Sequence, residues 1–89
     1  MKFRRFEVVE SKAGRDQGTI YLISEILDEN YVNLIDGKYR TISKPKRKKI
    51  KHISSLGEVA TELEGIFEDK SKVNDGVIKK ILKKFEKIC

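Results

Sequence analysis

Asp36 and Gly37 form the strongest local structural signal in this 89-residue chain, because they stand between two short runs of β-forming residues. The runs are YVNLI at residues 31–35 and KYRTIS at residues 38–43. An Asp-Gly pair in this position favours a type I′ hairpin, in which both central residues take a positive φ. The pair therefore predicts two adjacent antiparallel strands with Gly37 in their turn.

Two earlier runs extend the predicted sheet. Residues 6–10 (FEVVE) and 19–27 (TIYLISEIL) are rich in β-branched and aromatic residues. Gly14 and Gly18 bracket the turn between them, where glycine reaches a positive φ at little cost. Pro45 has no backbone N–H and is expected to end the sheet before the lysine-rich residues, and residues 50–53 are expected to form a last short strand. The chain is thus predicted to be mainly β, with a small antiparallel barrel over residues 1–54.

The spacing of apolar residues changes after residue 54 to that of α-helices. Ser55 followed by Glu58 is a capping box that predicts the start of a first helix. Asn74 is expected to cap a second helix, with Val73 and Ile78 as a hydrophobic staple. The apolar positions share one face of each predicted helix: Leu56, Val59, Ala60, Leu63, Ile66 and Phe67 in the first, and Val77, Ile78, Ile81, Leu82, Phe85 and Ile88 in the second. Residues 55–89 are predicted to form an appendage of two short helices, docked on the barrel or on another chain.

Positive charge is concentrated in the first two thirds of the chain. The formal net charge is +6, and residues 1–56 contain 13 Lys/Arg against seven Asp/Glu, whereas residues 57–89 contain seven of each. Between Lys38 and His52 there are eight basic residues and no acidic one. Such a tract is typical of a surface that binds the phosphates of RNA or DNA, and a solvated charged loop is the alternative. The candidate RNA-binding residues are Lys12, Arg15, Lys38, Tyr39, Arg40, Lys44, Lys46, Arg47, Lys48, Lys49, Lys51 and His52.

Tyrosines of the predicted sheet are candidates for stacking on bases or for the core. Tyr39 lies between Lys38 and Arg40, where an exposed ring could stack on an unpaired base. A core position for Tyr39 remains open, and Tyr21 is expected in the core.

The sequence does not predict an enzyme. His52 is the only histidine and Cys89 the only cysteine, and the chain has no nucleophile, phosphate-loop or metal-ligand spacing. No metal, cofactor or small-molecule substrate is therefore expected. No apolar run approaches the roughly 18–20 residues that span a bilayer, and a cytoplasmic location is expected. The basic second helix leaves membrane-surface binding as a minor alternative.

The order of these features resembles the KOW-domain RNA-binding proteins over about residues 4–53. The resemblance rests on the turn AGRDQG at residues 13–18, the strand beginning at Tyr21, Asp36-Gly37 followed by Arg40, and PKRKKIKH at residues 45–52. It is closest to the branch with bacterial ribosome-associated proteins and an archaeal–eukaryotic large-subunit ribosomal protein. Gln17 departs from the lysine common in this branch.

The resemblance implies an SH3-like barrel whose loops contact ribosomal RNA, with ribosomal proteins as further partners. The alternative function is a protein-interaction adaptor, since SH3-like barrels also bind peptides and the helices could dock a partner.

Overall fold

A five-stranded antiparallel sheet forms the body of the computed structural model, which describes residues 3–63 and 74–86. The strands are β1 (Glu7–Ser11), β2 (Ile20–Ile26), β3 (Tyr31–Ile35), β4 (Lys46–Lys49) and β5 (Ile53–Val59), and their order is β4-β3-β2-β1-β5. The first three confirm the strands expected from the sequence. Because β4 and β5 are edge strands that do not pair with each other, the sheet is not closed, and the prediction of a closed barrel is wrong.

Both faces of the central strands are buried, which explains why they are apolar in consecutive positions. Val8, Leu22 and Ile35 belong to one core cluster, and their neighbours Val9, Ile23 and Leu34 belong to a second cluster. Successive side chains of a strand point to opposite faces of the sheet. The sheet therefore separates two apolar layers, and Tyr21 lies in the second layer, as expected for a core residue.

An α-helix of the described residues, α1 (Asp75–Glu86), covers the first of these layers. Ile78 and Leu82 are buried in the cluster that contains Leu22 and Ile35. The side-chain Oδ1 of Asn74 accepts the backbone N–H of Val77 at 3.0 Å, which confirms Asn74 as the N-cap. The proposed staple partner Val73 lies outside the described residues. No helix in the described part of the chain is long and apolar enough to cross a membrane.

The predicted start of a first helix at Ser55 is wrong, because residues 53–59 form the edge strand β5. Val9 pairs with Ser55 and Glu7 with Val59, so β5 contains extra residues that form a bulge. Gly57 in this bulge has φ +84°, a value incompatible with a right-handed helix. Pairing with β1 thus overrides the local helical spacing. The part of the predicted first helix after Leu63 lies outside the described residues.

The Asp36-Gly37 step is a turn, but it does not form a two-residue hairpin. A type I′ turn requires a positive φ at both central residues. Gly37 has φ +79°, but the φ of Asp36 is not positive. The Asp36 carboxylate instead accepts the backbone N–H groups of Lys38 and Arg40, each at 2.8 Å. Residues 38–43 therefore form a compact loop, and the expected return strand over them is wrong.

The strand that does return beside β3 is β4, the KRKK segment itself. Pro45 precedes this strand and does not end the sheet before the basic tract. A short 3₁₀ helix, Ile50–His52, then connects β4 to β5. The strand predicted over residues 50–53 is therefore wrong, except that Ile53 is the first residue of β5.

Candidate nucleic-acid interface

Asp16 joins the glycine-bracketed turn to the basic strand β4. Its Oδ1 accepts hydrogen bonds from Ser11 Oγ at 2.9 Å and Lys48 Nζ at 2.8 Å. Its Oδ2 accepts the Tyr21 hydroxyl at 2.9 Å and lies 3.3 Å from Lys46 Nζ. We call these five residues the Asp16 cluster. They hold the turn against β4 although Asp16 and Lys48 are 32 residues apart.

The electrostatics of the Asp16 cluster favour the ionised carboxylate. Burial alone raises the pKa of Asp16, but hydrogen bonds from Lys48, Ser11, Tyr21 and Lys46 outweigh it and hold the pKa far below its usual range. Burial, and then the hydrogen bond to Asp16, raises the pKa of the Tyr21 hydroxyl. The carboxylate therefore stays charged and the phenol stays a donor at neutral pH.

The register of β4 divides the KRKK segment between the two faces of the sheet. Lys48 is opposite Val32 and Lys46 is opposite Leu34, so both lysines share the face of the second core layer. There Lys48 is 9% exposed and also donates to the Ala13 carbonyl at 2.9 Å. The ammonium of Lys48 thus donates its hydrogen bonds to Asp16 and to the backbone of the turn.

Arg47 and Lys49 point to the other face and are exposed. Arg47 is opposite Asn33, two residues from Ile35, which lies in the layer covered by α1. The Arg47 guanidinium stacks on Tyr31, with its carbon 3.9 Å from the ring centroid. This contact orients a planar donor group, which is well suited to a phosphate, at the exposed face of the sheet.

The candidates in and around the turn remain at the surface. Lys12 and Arg15 are exposed, and Lys12 Nζ lies 3.1 Å from the carboxylate of Glu10. Gly14 and Gly18 have φ +89° and +92°, which confirms their role in the turn. Lys44 and Lys51 are exposed and His52 is half-buried. Lys44 therefore lies just before β4, and Lys51 and His52 lie just after it. Lys12 and Arg15 lie in the turn that is attached to this strand.

Lys38, Tyr39 and Arg40 are exposed on the loop that follows β3. Tyr39 is 78% exposed, and Lys38 Nζ lies 5.1 Å from the centroid of its ring. This loop lies beside α1, and together they line a groove that also contains Lys79, Lys80 and Lys83. The sequence predicts a basic second helix, but it contains no sign that these lysines adjoin Tyr39.

No protein-family model matches this chain, and no curated protein is significantly similar to it. The resemblance to KOW proteins therefore rests on the residues themselves. Within residues 3–63 and 74–86, no group of three or more His, Cys, Asp or Glu side chains is placed to hold a metal ion.

Proposed function

We propose that this chain is a non-catalytic RNA-binding protein, with structured ribosomal RNA as its target. The observation that carries the proposal is the set of uncompensated cations on and beside an ordered edge strand. Arg47, Lys49 and Lys51 are exposed, and no carboxylate in the described residues forms an ion pair with them. Cations held on a strand neutralise phosphates with less loss of conformational entropy than cations on a free loop.

The Asp16 cluster supports this proposal by positioning a second set of cations. It holds the turn that contains Lys12 and Arg15 against β4 on the face of the second core layer. Arg47 and Lys49 lie on the opposite face of the same strand. The two sets therefore flank one strand in a defined arrangement. We expect Lys48 to act by holding this arrangement and not by direct contact with phosphate.

The proposed fold family is the SH3-like barrel of KOW proteins, with the sheet left open between β4 and β5. Its support is the order of the sequence features, the five antiparallel strands with two buried faces, and the AGRDQG turn attached to the basic segment. The ribosomal target and a cytoplasmic location are proposed on the same resemblance.

The test compares Lys49→Glu with Lys84→Glu, because both replace an exposed lysine and change the net charge equally. Affinity for a ribosomal RNA hairpin is measured between about 50 and 200 mM salt. With about five to seven phosphate contacts at the single-strand slope of about 0.7 each, wild-type affinity should fall roughly 10²–10³-fold over this range, and by more for contacts to the paired stem. Lys49→Glu should weaken binding and lower the salt slope, whereas Lys84→Glu should bind like the wild type.

The adaptor function predicts a different result. If wild-type binding to RNA is insensitive to salt, or if Lys49→Glu binds as tightly as wild type, β4 is not a phosphate-binding strand. A protein adaptor would then remain at the top of a sucrose gradient. An RNA-binding protein of the ribosome would instead sediment with the ribosomal particles.

A further inference from the structure

A groove of about 590 Å³ separates the loop after β3 from α1. Four lysines line it, Lys38 from the loop and Lys79, Lys80 and Lys83 from the helix. The Asp36 carboxylate is the one acidic group among the described residues that line the groove, and its Oδ1 accepts the two backbone N–H groups of the loop. The groove therefore carries a net positive charge.

The two walls of this groove are fixed to each other by backbone contacts. Gly37 is buried against the first turn of α1, where a Cβ atom would collide with the carbonyl oxygen of Asp75 and lie 2.9 Å from the N atom of Lys79. The Asp75 carboxylate also accepts the backbone N–H of Ile42 at 2.8 Å. These contacts hold the loop at the helix, so the groove is formed before any ligand binds.

Tyr39 gives the groove an aromatic surface beside its cations. The ring lines the groove and is 78% exposed, and its contact with Lys38 leaves most of its area accessible. Exposed aromatic rings next to lysines are the combination with which proteins bind single-stranded nucleic acid, because bases stack on the ring and phosphates contact the cations. An apolar ligand would leave the four ammonium groups without partners.

We propose that this groove binds an unpaired nucleotide of the RNA, with its base stacked on Tyr39 and the adjoining phosphates against Lys79, Lys80 and Lys83. The inference rests on the proposed RNA-binding function and extends it from the sheet to the helix. Arg47 and Lys49 face the same side of the sheet as α1. An RNA strand can therefore pass from β4 to the groove without crossing the edge of the sheet.

The helix offers a matched pair of variants, Lys83→Glu and Lys84→Glu. Both residues are exposed in the last turn of α1, so both reversals have the same effect on net charge and on the helix dipole. Lys83 lines the groove, whereas Lys84 lines a separate depression beside Glu58 and Glu62. A comparison of the two variants isolates the groove from long-range charge.

The measurement uses a short single-stranded polyuridylate RNA and a fully paired RNA duplex at several salt concentrations. Lys83→Glu should reduce the salt slope for the single strand by about 0.7, equivalent to one phosphate contact, and Lys84→Glu should leave it unchanged. Tyr39→Ala should weaken single-strand binding by about 5- to 150-fold, the range for loss of one stacked base, with little effect on the duplex. Circular dichroism and thermal melting of each variant check that its fold is intact.

The outcomes separate this inference from the proposed function. If Lys83→Glu and Lys84→Glu are equivalent, or if Tyr39→Ala weakens the duplex as much as the single strand, the groove does not bind a nucleotide. If Lys49→Glu nevertheless weakens binding and lowers the salt slope, RNA binding through β4 stands and the groove proposal alone falls. If Lys49→Glu also binds like wild type, the proposed function itself fails.

Discussion

Asp16→Asn tests the Asp16 cluster most directly, because it removes one negative charge and nearly preserves the shape of the side chain. Four donors converge on the carboxylate, two on each oxygen. Asparagine has one acceptor oxygen, so its NH₂ group must face one of these pairs of donors. The hydroxyls of Ser11 and Tyr21 can turn to accept from that group, but the ammonium groups of Lys46 and Lys48 cannot.

The expected loss of stability follows from the burial of Lys48. The side chains of Lys48 and Asp16 are 10% and 14% exposed, so the substitution leaves a nearly buried ammonium without its counter-ion. Removing one partner of a buried ion pair costs about 3–5 kcal/mol. The Ala13 carbonyl and the asparagine oxygen still accept from Lys48, and we therefore expect the free energy of unfolding to fall by about 2–3 kcal/mol.

Urea denaturation at pH 7 measures this loss, and the double variant Asp16→Asn/Lys48→Met provides the control. Replacing Lys48 by methionine removes the uncompensated charge and keeps most of the side-chain volume, so the double variant should be more stable than Asp16→Asn alone. Our reasoning is refuted if Asp16→Asn lies within about 0.5 kcal/mol of wild type. Our reasoning would also be refuted if the double variant lost more free energy of unfolding than the two single variants lose together.

The same variant makes a prediction about pH. Because the folded state holds the pKa of Asp16 below the unfolded value of about 3.9, the ionised carboxylate stabilises the fold fully above about pH 4 and progressively less below it. Asp16→Asn has no carboxyl group to protonate at this position. The difference in stability between wild type and variant should therefore narrow in acid, by up to about 1.4 kcal/mol per pH unit. A constant difference down to pH 3 would contradict this account.

Three further predictions concern the packing of the fold, and thermal melts or urea titrations test each of them. Gly37→Ala should lower the free energy of unfolding by roughly 2–5 kcal/mol, because a Cβ would collide with the helix backbone. Gly18→Ala is the control, because Gly18 has a similar φ and nothing within 4 Å of a Cβ, and it should lose only about 1–2 kcal/mol through backbone strain. Equal losses would show that the loop is not packed on α1. Asn74→Ala should lose about 1 kcal/mol with the N-cap, and no change would mean that the cap is not formed. Leu63→Asp should destabilise by about 2–4 kcal/mol and by more than Ile81→Asp, because Leu63 is fully buried and Ile81 is half-buried; the reverse order would contradict the core assignment.

The parts of the fold that the sequence predicted correctly are encoded by nearby residues. The β-rich runs predicted β1, β2 and β3, and the N-cap at Asn74 predicted the start of α1, because strand propensity and capping depend on a few neighbouring positions. The two glycines of the first turn were recognisable for the same reason. The exposed positions of Arg47 and Lys49 agree with their selection as binding residues, although their contact with RNA stays a prediction.

The errors arose where distant pairing determines local structure. Residues 55–63 have the apolar spacing of a helix, but pairing with β1 makes residues 53–59 a strand and Gly57 enters a bulge. The KRKK segment has no alternation of apolar and polar residues, so its strand could not be recognised from the sequence alone. Its buried lysine, Lys48, is accommodated because Asp16, which is distant in sequence, supplies a nearly buried negative charge.

The position of the basic segment at the edge of an open sheet has a consequence for self-association. The unpaired edge of an edge strand presents backbone N–H and C=O groups, which can form hydrogen bonds with the sheet edge of a second molecule. On β4, such a pairing would bring the exposed cations Arg47 and Lys49 close to those of the second molecule, and on β5 the bulge at Gly57 interrupts a regular edge. The charge that attracts a polyanion therefore also keeps copies of the chain apart, and this repulsion weakens when salt or a bound polyanion screens β4.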